Sequence, residues 1–257
     1  RDLKLNEFIG VLPTNRMSEK YEKQVYLAML AEQCSRYEDM MGFLEDMVKT
    51  KSEDLSSDER NLLSIAYKNT ISLDRQAIRT LLAYEAKEAK KAESPYLDYI
   101  KEYKAKVQKE LEELCNKINS TIDSNLLPKA TTDEAKVFYH KMKGDYCRYI
   151  AENVDGDTKK KYSDQGLAAY NAALDSAKSI DYKNPVKLGL ALNLSVFYYE
   201  VVGNKDEACK LAQETLDKSK EALAGADEEE DEVKDALSIV GLLEENLGMW
   251  KVEGDEN

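Results

Sequence analysis

The chain has few residues that interrupt regular structure, since only 4 of its 257 residues are proline and 11 are glycine. Its single histidine is His140. We find no His-Glu-x-x-His zinc motif, no glycine-rich phosphate loop and no nucleophile elbow. The pattern therefore predicts a protein that is not an enzyme, with no catalytic residue, no metal ligand and no cofactor.

Long apolar runs are also lacking, because no stretch approaches the roughly 18 to 20 residues needed to cross a bilayer, and residues 1–17 do not read as a signal peptide. The net charge of −13 argues against nucleic acid or anionic membrane as partners. The four cysteines are scattered without close pairs, which favours reduced thiols. We expect a cytoplasmic protein, with the nucleus as an additional location.

Helical periodicity and capping signals dominate the rest of the chain, and they predict nine helices and no sheet. Most of the predicted helices begin at a side chain that can accept a hydrogen bond from a free backbone N–H group. The predicted starts are Ser18, Arg36, Ser56 (with Glu59), Ser94-Pro95, Thr131 (with Glu134), Gly156-Asp157, Asn184-Pro185, Asn204 (with Glu207) and the end of an acidic loop over 226–232.

The connections between these helices are short, so antiparallel neighbours in one domain are the simplest packing. We predict a single helical domain over residues 18–250, ending at Trp250. Residues 1–17 are interpreted as an extension, native or left from cloning, and residues 251–257 as a short acidic tail.

Two cations stand out in this acidic chain. Lys68 and Arg75 are seven residues apart, so on a helix they share a face to within roughly 20° and lie about 10.5 Å apart along the axis. A phosphate fits between such groups, although a solvated helix face is the ordinary interpretation of a pair considered alone. A second segment, 136–149, places Arg148 beside Tyr149.

Together with 189–200 and 245–250, these two segments resemble the phosphopeptide-binding signature of the 14-3-3 family, and the likeness covers roughly residues 18–250. The resemblance implies an all-α fold of nine antiparallel helices with a concave groove. It also implies an adaptor that binds phosphoserine or phosphothreonine in client proteins and regulates their conformation, location or partners.

The resemblance assigns phosphate binding to four residues: Lys68, Arg75, Arg148 and Tyr149. The chemistry is suitable, because a phosphate carries about 1.5 to 2 negative charges and needs forked cationic donors. Near the same face as Arg148 lies Lys141, which is either an additional positive group or an ordinary solvated lysine. Asp145 and Glu152, at i−3 and i+4 from Arg148, are candidates for orienting it.

Peptide binding is assigned by the same resemblance to two helix faces near the carboxyl end. By periodicity alone, ordinary core packing is the better interpretation of the apolar members, and only the resemblance makes them a groove wall. The predicted peptide-binding residues are Gly189, Asn193, Val196, Glu200, Ile239, Leu242, Asn246 and Trp250.

A homodimer, or a heterodimer with a paralogue, is also implied by the resemblance. In the family, the first helices of one protomer meet the third and fourth of the other, so that Arg36 and Asp39 would face Glu110 and Lys106 of a second protomer. The predicted interface residues are Leu30, Ala31, Arg36, Asp39, Tyr103, Lys106 and Glu110.

The chain departs from the family pattern at Asp74, beside Arg75, where a second basic residue is usual, and at Gly241 and Glu244. An acid at this position weakens the local positive field. We therefore keep an alternative open, a helical scaffold that binds proteins independently of phosphate.

Overall fold

The computed structural model describes residues 21–91 and 93–255, so the predicted extension over 1–17 and the predicted cap Ser18 lie outside the described residues. The described chain is all-α, and it contains nine α-helices and no strand. These helices are α1 Glu22–Gln33, α2 Tyr37–Thr50, α3 Ser57–Glu88, α4 Leu97–Thr121, α5 Asp133–Ala151, α6 Gly156–Ser176, α7 Pro185–Phe197, α8 Lys205–Ala222 and α9 Asp231–Asp255.

Side-chain capping explains the starts of four helices, α3, α5, α7 and α8. Glu59 N–H donates to Ser56 Oγ at 3.2 Å and Ser56 N–H donates to Glu59 Oε2 at 2.7 Å, which is the predicted reciprocal cap of α3. The predicted caps Asn184 and Asn204 accept from backbone N–H groups at 2.9 and 3.1 Å. The prediction of Thr131 is wrong by one residue, because Thr132 is the cap and accepts from Ala135 N–H at 3.1 Å.

Irregular turns prolong or end several helices. A π-helical turn, Ile122–Leu126, follows α4, and a second one, Tyr198–Val202, follows α7. Gly203 ends the second turn with a φ of 74°, a left-handed conformation that side chains rarely adopt. At the other end of the chain, α9 continues through Asp255, so residues 251–255 are helical instead of forming the predicted tail.

The chain divides within α3 into two compact units, the first ending at Thr70 and the second beginning at Ile71. In the first unit α1 packs against α2. A buried ion pair joins Lys51 Nζ to Glu59 Oε2 at 2.5 Å, and the Tyr67 hydroxyl donates to Glu45 Oε1 at 2.5 Å.

In the second unit α5 packs against α6, and α7, α8 and α9 pack against one another. One apolar cluster joins α7, α8 and α9 and contains Leu188, Leu243 and Trp250. Another joins α5, α6 and α7 and contains Tyr170 and Phe197. Because α7 contributes to both clusters, it is held between the two helix groups.

Close packing of α5 on α6 depends on Gly144. A Cβ atom at this position would lie 2.7 to 2.8 Å from ring atoms of Tyr170, which is completely buried. We expect Gly144→Ala to destabilise the protein by about 1 to 3 kcal/mol, because the buried ring has to move. Urea denaturation followed by circular dichroism measures this.

The matched control is Gly248→Ala in α9, where an added Cβ meets no atom within 4 Å. This change should stabilise the helix by about 0.5 to 1 kcal/mol. Equal unfolding free energies for the two variants would contradict the packing role of Gly144.

Candidate functional site

The side chains of the candidate site come mainly from one face of α5. The spacing i, i+4, i+7 and i+11 returns to the same side of a helix, so the residues concerned lie in one row. These residues are Lys141, Asp145, Arg148 and Glu152, the last of which caps the carboxyl end of α5. The row alternates cations and acids, so ion pairs form along it.

Glu152 bridges the two arginines of the predicted phosphate site. Arg75 Nη2 donates to Glu152 Oε2 at 2.7 Å, and Arg148 Nη1 donates to Glu152 Oε1 at 2.7 Å. The exposed fraction of the side chain is 22% for Arg75 and 9% for Arg148. One carboxylate therefore holds both guanidinium groups side by side.

The ring of Tyr149 supports the same pair. The guanidinium carbon of Arg75 lies 4.2 Å from the centre of this ring and that of Arg148 lies 4.7 Å from it. The ring face is negative, so both contacts are attractive. The structure thus brings three of the four predicted phosphate-binding residues together.

Lys68, the fourth of these residues, belongs to the first unit. It lies on α3 with its side chain exposed. Its predicted role in phosphate binding stays a prediction.

Asp145 is the centre of a buried polar network. Its Oδ1 accepts from the Tyr170 hydroxyl at 2.6 Å and from Asn193 Nδ2 at 2.8 Å. Its Oδ2 accepts from Lys141 Nζ at 3.0 Å, and Arg148 Nη2 lies 3.6 Å from Oδ1. Lys141 is therefore part of the site and not simply a solvated lysine.

These contacts shift several pKa values. Burial acts to raise the pKa of Asp145, but Lys141 and Arg148 outweigh it, so this pKa lies below its ordinary value. Burial acts to lower the pKa of Arg148, whereas Tyr170 and Asp145 hold it well above its ordinary value. Arg148 is therefore charged, and Asp145 is ionised at neutral pH.

The predicted peptide-binding residues lie on two helices that pack against each other, α7 and α9, and on the turn after α7. Asn193 is bound to Asp145, which ties it to the arginine cluster. A Cβ added to Gly189 would lie 3.6 Å from Lys141 Cε, so this part of α7 faces the row on α5. Loss of solvation raises the pKa of Glu200, and repulsion from Glu152 raises it further.

On α9, Leu242 is 46% exposed, whereas Trp250 is 7% exposed and stacks on Tyr199 with the ring centres 4.7 Å apart. Val196 and Ile239 are partly buried against the cluster of α7, α8 and α9, and Asn246 is half-buried. Trp250 thus has the core packing that periodicity favours. The roles of these residues in peptide binding stay predictions.

The charged residues of the predicted dimer interface pair within their own helices here. Arg36 pairs with Asp39, and Lys106 Nζ lies 3.7 Å from Glu110 Oε1. In the first unit Leu30 is 48% exposed while Ala31 is buried. In the second unit Tyr103 is 56% exposed. Each unit thus has an exposed apolar side chain at the predicted interface, whose pairing between protomers stays a prediction.

The structure shows the surroundings of the three residues that depart from the family pattern, Asp74, Gly241 and Glu244. Burial raises the pKa of the Cys115 thiol, and Cys147 and Asp74 raise it further, so the charge of Asp74 acts on α4. Glu244 pairs with Lys220 at 2.5 Å. A Cβ atom added at Gly241 would meet no atom within 4 Å.

Fold and site together define an all-α protein that holds two arginines and a tyrosine in one cluster. The 14-3-3 protein family model matches residues 27–251. "14-3-3 protein 7" of Solanum lycopersicum is 44% identical over 242 residues, covering 93% of this chain and 94% of that protein. "14-3-3 protein homolog" of Trichoderma harzianum is 44% identical over 232 residues, covering 90% of this chain and 87% of that protein.

The chain therefore belongs to the 14-3-3 family. Membership supports a phosphopeptide-binding adaptor role in general, together with binding of client proteins and formation of dimers. Proteins of this family are adaptors and not enzymes. Among the described residues, no helix has both the length and the apolar character that a membrane span requires.

We expect Asp145→Ala to destabilise the protein by about 3 to 5 kcal/mol, because it leaves the buried Arg148 without one of its acidic partners. The Tyr170 hydroxyl and the Asn193 amide lose their acceptor at the same time. Urea denaturation at pH 7 measures the loss. The control is Asp123→Ala, whose exposed pair with Lys143 should contribute less than about 1 kcal/mol.

The pH dependence of folding stability provides a second test of the role of Asp145. Since the pKa of Asp145 is depressed in the folded state, its ionised form stabilises the fold above the ordinary aspartate pKa of about 3.9. This contribution is lost as the pH falls through the lower folded-state pKa. Wild type should therefore lose more stability on acidification than Asp145→Ala, and parallel curves for the two would contradict the assignment.

Proposed function

We propose that this chain is a phosphoserine- and phosphothreonine-dependent adaptor that binds phosphorylated segments of client proteins and regulates their conformation, localisation or partners. The observation that carries the proposal is the convergence of Arg75 and Arg148 on one tyrosine ring in a chain of net charge −13. Two adjacent guanidinium groups attract a dianionic phosphate through charge-assisted hydrogen bonds.

The guanidinium N–H groups that remain unused in the site support this function. Each guanidinium has five N–H groups in a fixed fork, and the bond to Glu152 uses one of them on each arginine, while Arg148 Nε also donates to the Tyr170 hydroxyl at 3.5 Å. Arg75 Nε is buried and has no hydrogen-bond partner among the described residues. Donors therefore remain for phosphate oxygens, and the family resemblance adds Lys68 and the Tyr149 hydroxyl.

The peptide chain beside the phosphate also needs polar partners. Asn193 can hold a peptide group through its side-chain oxygen and its second Nδ2 hydrogen, because the bond to Asp145 uses only one of the two amide hydrogens. We assign the remaining groove residues by the family resemblance.

A homodimer, or a heterodimer with a paralogue, would present two such sites to one client and increase the effective affinity. We expect this adaptor in the cytoplasm and the nucleus.

The first test is isothermal titration calorimetry with an extended peptide containing one phosphoserine. We expect micromolar binding or better, and a loss of at least roughly 10- to 100-fold for Lys68→Glu or Arg148→Ala, because each removes a charge-assisted contact. The matched controls, Arg79→Glu on α3 and Lys136→Ala on α5, remove exposed cations outside the cluster and should bind normally.

Circular dichroism checks that each variant is folded. Equal binding of the unphosphorylated peptide would refute the proposal. Full binding of the phosphopeptide by Lys68→Glu would instead favour the alternative, a scaffold that recognises its partners without phosphate.

The second test concerns Glu152, whose negative charge opposes a phosphate bound by the same arginines. Glu152→Gln removes this charge but keeps an oxygen that can accept from one guanidinium. We expect phosphopeptide affinity to increase about 3- to 10-fold at low salt, with a smaller gain as ionic strength rises. The control is Glu134→Gln on the same helix. Weaker binding by Glu152→Gln would mean that holding the arginines in place matters more than the repulsion.

A further inference from the structure

A second group of cations lies in an open cleft that shares no residue with the arginine cluster. The cleft has a volume of about 510 Å³ and lies between the end of α6, the connection to α7 and the last turns of α8. Lys178, Tyr182, Lys187 and Lys218 line it. A smaller cavity of about 130 Å³ shares the first three of these residues, so the two spaces adjoin.

Two of the ammonium groups are gathered around one aromatic ring. Lys187 Nζ lies 3.9 Å from the centre of the Tyr182 ring and donates to the Ile180 carbonyl at 2.6 Å. Lys218 Nζ lies 5.2 Å from the same ring centre and 3.5 Å from the Tyr182 hydroxyl. Both positive charges therefore lie within 5.2 Å of the same ring centre.

Neither of these ammonium groups has a carboxylate oxygen within 4.0 Å among residues 21–91 and 93–252. The cleft also contains Asp181 and Glu221, and Asp181 accepts from the Lys183 backbone N–H at 2.9 Å. By contrast, Lys178 at the rim is paired with Asp175 at 2.8 Å. Lys187 and Lys218 are thus the cations in the cleft that remain able to bind an external anion.

The smaller cavity has apolar walls. Leu174, Leu190, Ala191 and Leu211 line it, and Leu190 and Ala191 are buried. Its volume is close to the roughly 150 Å³ of an apolar cavity that holds benzene. One aromatic ring or a short alkyl group therefore fits beside Lys187, which lines both spaces, while Lys218 lines the larger cleft.

We propose that this cleft binds a small amphipathic anion. The phosphate or carboxylate head lies between Lys187 and Lys218, and an aromatic or short aliphatic group enters the smaller cavity. Charge and shape both contribute, so neither a free inorganic anion nor an uncharged ring should bind as well. This site does not depend on the proposed phosphopeptide function.

The test is methyl NMR of the full chain, labelled at alanine and leucine methyl groups and titrated with phenyl phosphate. We expect saturable shifts of the Ala191 and Leu211 methyl signals, with inorganic phosphate and benzyl alcohol each at least about 10-fold weaker. A parallel titration with benzoate distinguishes a carboxylate head from a phosphate head. Equal binding of benzyl alcohol, or shifts confined to groove methyl groups such as Leu242, would overturn the proposal.

The double variant Lys187→Gln/Lys218→Gln should weaken phenyl phosphate binding at least about 10-fold. The matched control Lys183→Gln/Lys210→Gln removes two other lysines from the same region, with the same change in net charge, and should bind like wild type. Because Lys187 also holds the Ile180 carbonyl, Lys218→Gln alone provides a variant at an exposed position. Unchanged affinity in this single variant would overturn the proposal.

Discussion

One carboxylate shared by two guanidinium groups is the interaction on which the candidate site depends. Arg75 and Arg148 repel each other, and most of the water that would screen them is excluded. Glu152 and the face of Tyr149 offset this repulsion from two directions. Lys141 and Asp145 add one charge of each sign, and Glu200 adds a further carboxylate, whose ionised form is disfavoured by burial and by Glu152. The guanidinium N–H groups that these carboxylates leave unused can bind an anion.

Asp145 connects this electrostatic arrangement to the fold. It lies on α5, and it accepts from Tyr170 on α6 and Asn193 on α7. Tyr170 reaches it only because Gly144 leaves room for the ring. The carboxylate that orients Arg148 therefore also fixes the amide of Asn193. In the function that we propose, phosphate recognition and backbone recognition would depend on the same buried group, and core packing would set their relative geometry.

Local signals explain what the sequence could predict. A cap requires only a side chain two or three residues from an N–H group, so Ser56, Asn184 and Asn204 were identifiable. The choice of Thr132 over Thr131 depends on backbone geometry that two adjacent threonines do not reveal. The spacing on α5 identified Asp145 and Glu152, but Tyr170 is 22 residues beyond Arg148, and no local pattern indicates that contact. The core position of Trp250 follows from periodicity, whereas a groove role comes only from the resemblance.

The acidity of the whole chain and the positive charge of its site are compatible because they act over different distances. At physiological ionic strength, charges more than about 8 Å apart are largely screened. The net charge of −13 repels a large polyanion that must contact much of the surface, while a single phosphate held against Arg75 and Arg148 experiences mainly its immediate neighbours. Such a short-range attraction does not draw in a client from afar, so the peptide beside the phosphate has to contribute to affinity. In the function that we propose, selectivity for one phosphorylated segment would therefore come from the local cluster together with the contacts of the adjoining peptide.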